Sequence, residues 1–149
     1  MSIFANNPRA RFDYEILETF EAGIELTGGE VKSVRSGHLS LNGSFAIPEE
    51  SGIVLLNMDI TPYQPKNAGK TGARDRRRRL LIKRDELRYL VGKIREQGLT
   101  LIPMRVYPKG RYIKVELGLG RHKKGADKRE TIRRREVERE VRRVLKREE

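Results

Sequence analysis

The chain contains no cysteine among its 149 residues, which excludes disulfide frameworks, thiolate-bound zinc and thiol nucleophiles. No stretch approaches the ~20 uncharged apolar residues that a membrane-spanning helix needs. The opening MSIFANNPRAR has neither an apolar central segment nor a small-residue cleavage site, so no secretory signal is expected. A soluble, cytoplasmic protein is the expectation. Histidine is scarce, and His38 and His122 stand 84 positions apart with no third ligand to match, so no metal site is expected. A G-x-S-x-G element is also missing. The nearest approach to a phosphate loop, Gly69-Lys70-Thr71, has Gln64 where the first glycine must stand, and no strand leads from it into a helix. Gly118-x-Gly120 ends a hairpin strand, while Glu49-Glu50 and Asp85-Glu86 are adjacent carboxylates in a turn and at a helix start. No catalytic constellation, metal or cofactor is expected. The chemistry left is binding.

Positive charge is what the chain has in excess: 33 Lys+Arg against 21 Asp+Glu give a formal net charge of +12. That charge is concentrated. Lys70 to Arg84 holds eight basic residues and one acid, and Gly120 to Glu149 holds thirteen basic and seven acidic residues. These segments carry +7 and +6, so the other 104 residues together carry −1. A nearly neutral body with two basic segments is the electrostatic footprint of a polyanion binder. Nucleic acid is the first candidate and an anionic membrane surface the second. Arg76-Arg77-Arg78-Arg79 repel one another unless an anion meets them, the alternative being a solvated face kept for solubility.

The length fits one domain, with a core burying roughly 68–70% of the extended chain's surface. Met1 to Arg9 reads as a flexible arm broken by Pro8. Alternation at Phe12, Tyr14 and Ile16 predicts a strand running to Leu26, with Gly23 marking a bulge or bend. Thr27-Gly28-Gly29-Glu30 has the form of a capping box that opens a short helix, and Gly37 fits its stop. Leu39, Leu41, Phe45 and Ile47 read as one strand face with Gly43 as a gap, followed by a turn at Pro48–Gly52 and a strand from Ile53 to Ile60. Gln64 to Arg74 reads as a mobile loop. Leu80-Leu81-Ile82 predicts a short buried strand, and Asp85 to Gln97 a helix stopped by Gly98. Leu99 to Tyr107 and Arg111 to Leu119 predict a hairpin around Pro108-Lys109-Gly110, with Ile113, Val115, Leu117 and Leu119 facing inward. The expected fold is mainly β: a small antiparallel barrel of the oligonucleotide-binding type with flanking helices, a sandwich being the alternative.

The remainder differs in kind. Asp127-Lys128-Arg129-Glu130 has the D-x-x-E capping form, and a helical register follows to Glu149 with Val137, Val141, Val144 and Leu145 as a narrow stripe. One such stripe cannot hold a helix of about 23 residues without a partner. Residues 1–124 are therefore expected to form the body, and 125–149 a basic tail that is partly disordered alone and orders on a partner.

Longer blocks of sequence carry a resemblance. Asn7-Pro8-Arg9-Ala10-Arg11-Phe12-Asp13-Tyr14-Glu15-Ile16, Glu21-Ala22-Gly23-Ile24 and Gly29-Glu30-Val31-Lys32-Ser33-Val34-Arg35-Ser36-Gly37 resemble the opening of the SsrA-binding protein (small protein B) family. Ile60-Thr61-Pro62-Tyr63, Arg78-Arg79-Leu80-Leu81-Ile82, Gly98-Leu99-Thr100-Leu101-Ile102-Pro103 and Lys123-Lys124 with Asp127-Lys128-Arg129 continue it in order along nearly the whole chain. The chain departs from the family pattern at Ala73-Arg74 in place of Asp-Pro, Phe45 in place of Tyr, and Ala126 in place of an aromatic or His. The resemblance implies an oligonucleotide-binding barrel that catalyses no reaction. Such a barrel binds the tRNA-like domain of transfer-messenger RNA (tmRNA) as a monomer and escorts it, with elongation factor Tu acting through the RNA, to stalled ribosomes. It also implies that the tail becomes helical in the vacant message channel near the decoding centre, and that no membrane is involved.

The residues implied for RNA binding are Asn7, Arg9, Arg11, Tyr14, Glu30, Lys32, Arg35, Tyr63, Arg76, Arg78, Lys123 and Lys124. Glu30 either accepts from base or ribose donors or only closes its capping box. Tyr14 and Tyr63 either stack on unpaired bases or pack in the core. Arg76 and Arg78 suit screened phosphate contacts, as do Lys32 and Arg35, three residues apart on one helical side. His122 either meets phosphate or is inert surface. For the tail the resemblance implies Asp127, Lys128 and Arg129, with Val144 and Leu145 either anchoring it in the message path or packing on the body. Asp127 also fits a simple N-cap.

Overall fold

The computed structural model describes residues 3–50, 52–63 and 73–148, the side chains of 125–128, 130, 131, 138 and 144–148 excepted. In chain order come β1 (Ala5–Asn6), α1 (Pro8–Asp13), β2 (Tyr14–Ile24), α2 (Gly28–Arg35), β3 (Leu39–Ser40) and β4 (Phe45–Glu49). Then follow β5 (Gly52–Leu56), β6 (Asp59–Ile60), β7 (Arg78–Leu81), α3 (Arg84–Gln97), β8 (Thr100–Lys109), β9 (Tyr112–His122) and α4 (Gly125–Glu148). The main sheet is antiparallel, in the order β1-β8-β4-β5-β7-β2-β9, and it returns on itself because β8 also pairs with β9. The thinnest seam of this ring is the single β4–β8 pair, Ala46↔Leu101. The mainly β, oligonucleotide-binding-like arrangement with flanking helices is the one expected from the alternation.

β9 shows why the ring holds. Ile113, Val115, Leu117 and Leu119 point inward, none more than 8% exposed, whereas Tyr112 on the other face is 66% exposed. Each such side chain, fully buried, stabilises the fold by roughly 1.5–3 kcal/mol. Val34 of α2 and Leu90 of α3 close the same core from outside the sheet. Beside β2 a side chain at position 120 would collide with the Glu15 carbonyl oxygen, and one at 118 would come within 2.9 Å of Met104 Sδ. Gly118-x-Gly120 therefore lets two strands approach closely.

Several expectations are corrected. The N-terminal arm is not free from Phe4 onward: its N–H donates to Val106 O at 2.8 Å, Ala5↔Val106 and Asn6↔Arg105 add a strand to β8, and the Asn7 N–H donates to Met104 O at 2.9 Å. Pro8, read as a break, opens α1, where its fixed φ and missing N–H fit a first helical position. Phe12 thus lies on a helix, and the strand begins at Tyr14. The irregularity in β2 falls between Ile16 and Glu18, not at Gly23. The row from Leu39 to Ile47 is two strands, with Gly43 at φ +75° turning between them, and Asn57 at φ 64° divides β5 from β6. The last hairpin turns at Gly110-Arg111, with Pro108 inside β8 opposite Ile113. In β7, Leu80 is buried but Leu81 is 49% exposed. α4 starts two residues before Asp127, which therefore sits in the first turn and does not cap it. The loop expected from Gln64 lies, at residues 64–72, outside the described residues, and Gly69-Lys70-Thr71 with it.

Candidate nucleic-acid interface

α2 begins with the capping box the sequence announces. The Glu30 N–H donates to Thr27 Oγ1 at 3.2 Å, and the Thr27 N–H donates to Glu30 Oε1 at 2.9 Å. Glu30 then does more than cap. Arg76 Nη2 donates to its Oε1 at 2.5 Å, while Arg78 reaches its Oε2 through Nε at 2.8 Å and Nη2 at 2.6 Å. Burial pushes this carboxyl's pKa up, yet the hydrogen bonds from Arg76, Thr27 and Arg78 outweigh that and hold it below the ordinary value. Arg78 itself is fully buried. Its Nη1 donates to Met58 O at 2.5 Å and Arg76 O at 3.1 Å, and its Nη2 to Arg74 O at 2.8 Å. All five guanidinium N–H groups are thereby satisfied.

Arg78 is thus corrected: a side chain with no exposed surface makes no screened phosphate contact. It locks residues 74–78 against α2. Arg76, about one-third exposed, stands between the carboxylate and solvent. Outside this knot Lys32 Nζ lies 5.1 Å from the Tyr63 ring centroid, and Tyr63 is 52% exposed, so that ring is a surface platform and not core. Arg35 Nη2 donates to Arg111 O at 3.1 Å. Lys32, Arg35, Tyr63 and Arg76 form the exposed members of this first patch.

A second patch gathers at the start of β2. Tyr14 and His122 are register partners in β2 and β9, with ring centroids 5.0 Å apart in an edge arrangement. Lys123 ties the end of β9 to α1: its N–H donates to Asp13 O at 2.8 Å and its Nζ to Arg11 O at 2.7 Å. Arg9 pairs with Asp13 at 3.7 Å and lies over the Phe12 ring, which Arg135 of α4 also approaches at 5.6 Å. Lys124 follows exposed. Asn7 is 6% exposed and donates Nδ2 to Pro103 O at 2.9 Å, which makes it an internal brace for α1. The residues implied for RNA binding thus fall into two patches at opposite ends of β2, a strand of 11 residues.

On the tail Arg129 is exposed on α4, and so are Val137 (63%) and Val141 (52%); the side chains of Asp127, Lys128, Val144 and Leu145 lie outside those described. One cluster had no warning in the sequence. Glu21 of β2 accepts hydrogen bonds from the Tyr107 hydroxyl and from Lys109 Nζ, both on β8. Tyr107 is pushed up to about 12 by burial and by its bond to Glu21, and Glu21 is lowered by the bonds from Tyr107 and Lys109. Glutamate and tyrosine 86 positions apart carry no spacing signal.

Known proteins are similar to this chain along nearly its whole length. Residues 4–147 match the family model described as SmpB protein. The SsrA-binding protein of Synechococcus elongatus is 48% identical over 147 residues, covering 99% of this chain and 96% of that protein. The SsrA-binding protein of Gloeobacter violaceus is 46% identical over 147 residues, covering 97% and 95%. A solved chain described under "tmRNA-SmpB: a journey to the center of the bacterial ribosome" is similar with TM-score 0.65 and 46% identity, covering 87% of this chain and 94% of that one.

Proposed function

This chain belongs to the SmpB protein family, and on that premise we propose that it binds the tRNA-like domain of tmRNA and delivers it to stalled ribosomes. There trans-translation tags the nascent peptide and frees the ribosome. The carrying observation is the pair of cationic patches, in a chain of net charge +12 that is similar to a protein solved in the tmRNA and ribosome context.

In the first patch Lys32, Arg35 and Arg76 meet phosphates, with Tyr63 as a stacking platform. Glu30 and Arg78 fix the segments that carry them. In the second patch Arg9, Arg11, Lys123 and Lys124 meet backbone, with Tyr14 beside them and Asn7 bracing α1. Residues 1–124 form the RNA-holding body, and residues 125–149 the extension that enters the vacant message path through Asp127, Lys128 and Arg129, anchored by Val144 and Leu145. The chain itself makes and breaks no bond, and it works where ribosomes work, in the cytoplasm. A competition titration at fixed ionic strength tests the reading. tmRNA should outcompete unrelated structured RNA of equal length, and equal affinity for both would instead make this a general RNA binder.

A further inference from the structure

The Arg76–Arg79 run divides at β7. Arg78 and Leu80 turn inward, whereas Arg77 and Arg79 turn out, away from the Glu30 knot. On that outer side a groove of about 1040 Å³ opens between α3 and the β4–β5 turn, lined along α3 by Arg84, Leu87, Arg88, Val91, Gly92 and Arg95. Glu49 links it to a smaller recess, of about 230 Å³, that Arg77 and Arg79 line. Arg84, Arg88 and Arg95 fall on one helix face, roughly 6 and 10 Å apart at 1.5 Å per residue. All three are exposed, with no ion pair among the described residues. Of the two facing carboxylates, Glu49 is already paired with Arg77, which leaves Glu50 at the turn. Five arginines against two glutamates give the two recesses a net +3.

We propose that this groove is a third RNA contact, a track for a phosphodiester backbone outside the two patches already described, with Arg84 and Arg88 meeting neighbouring phosphates and Arg95 one further along. It rests on the RNA-binding reading above. A line of arginines along one helix face suits a chain of anions, and the Leu87/Val91 floor suits the sugar edges between them.

The test uses the full chain carrying Arg84→Gln, Arg88→Gln and Arg95→Gln together. All three side chains are exposed, and an unchanged thermal midpoint confirms the fold. Affinity is measured against salt for two probes, purified tmRNA and ribosomes stalled on a truncated message. For the probe that supplies the backbone, the slope of log affinity against log salt should become shallower by about 2–3, a loss of roughly 100-fold or more near 0.1 M salt. Which probe responds identifies the source. Unchanged affinity and slope for both would overturn the proposal. So would a photo-crosslinker at position 88 that, in the ribosome complex, attaches to protein and not to RNA. A Lys32→Gln/Arg35→Gln variant run alongside separates the readings: if it keeps full tmRNA affinity, the first patch fails while the groove stands or falls on its own result.

Discussion

Replacing Arg78 by Met is the sharpest probe of the knot beneath the first patch. The substitution keeps a long apolar stem but removes the guanidinium that Glu30, Met58, Arg74 and Arg76 share. Arg76 remains on Glu30 Oε1, yet Oε2 loses its close donors, and the Met58 carbonyl loses this one inside the protein. Breaking a buried ion pair from one side costs about 3–5 kcal/mol, a large share of the ~5–15 kcal/mol that holds a typical domain. For a chain of this size roughly 2–4 °C per kcal/mol converts that into a fall of about 6–20 °C in Tm. Urea unfolding followed by circular dichroism supplies the number, with an unchanged slope showing that the denatured state is unaffected. The partner variant Glu30→Gln completes a double-mutant cycle, and the double variant should lose about 1–3 kcal/mol less than the two singles added. A loss below about 1 kcal/mol for Arg78→Met, or strict additivity in the cycle, would refute the knot.

Two further predictions concern protons. Because the folded-state pKa of Glu30 is lowered, its contribution is complete above its ordinary value of 4.5 and is lost as pH falls through the lower folded value. The stability gap between the native chain and Glu30→Gln should therefore close on acidification below pH 4.5; a gap constant down to complete acid unfolding would contradict it. Tyr107 is raised from 10.0 to about 12, so its contribution is complete below pH 10 and is lost as pH rises toward 12. Ultraviolet titration should show a phenol ionising near pH 12 that Tyr107→Phe removes, and survival of that component in the variant would disprove the assignment.

Legibility in the sequence followed the range of the interaction. The β9 alternation, the Thr27–Glu30 box and the Gly98 stop, which lies in the left-handed region at φ 63°, are local signals and could be read directly. Pro8 misled because the same residue breaks a strand and opens a helix, and only pairing of Ala5 and Asn6 to β8 decides between them. Asn57 hid the division of β5 from β6, since asparagine tolerates positive φ without demanding it. Arg78 was the deepest miss: an arginine in a basic run reads as surface, and the carboxylate that lets it be buried lies 48 residues earlier. The patches assemble the same way, Lys32 with Tyr63 and Lys123 with Arg11, from residues far apart in the chain.

The division of labour between body and extension is the central claim, and a chain ending at Lys124 tests it most directly. Its tmRNA affinity and its capacity to support peptide tagging on stalled ribosomes are measured side by side. The account predicts affinity within a few-fold of the full chain and no tagging. Tagging that survives the truncation, or tmRNA binding that collapses with it in a protein still folded by circular dichroism, would contradict it.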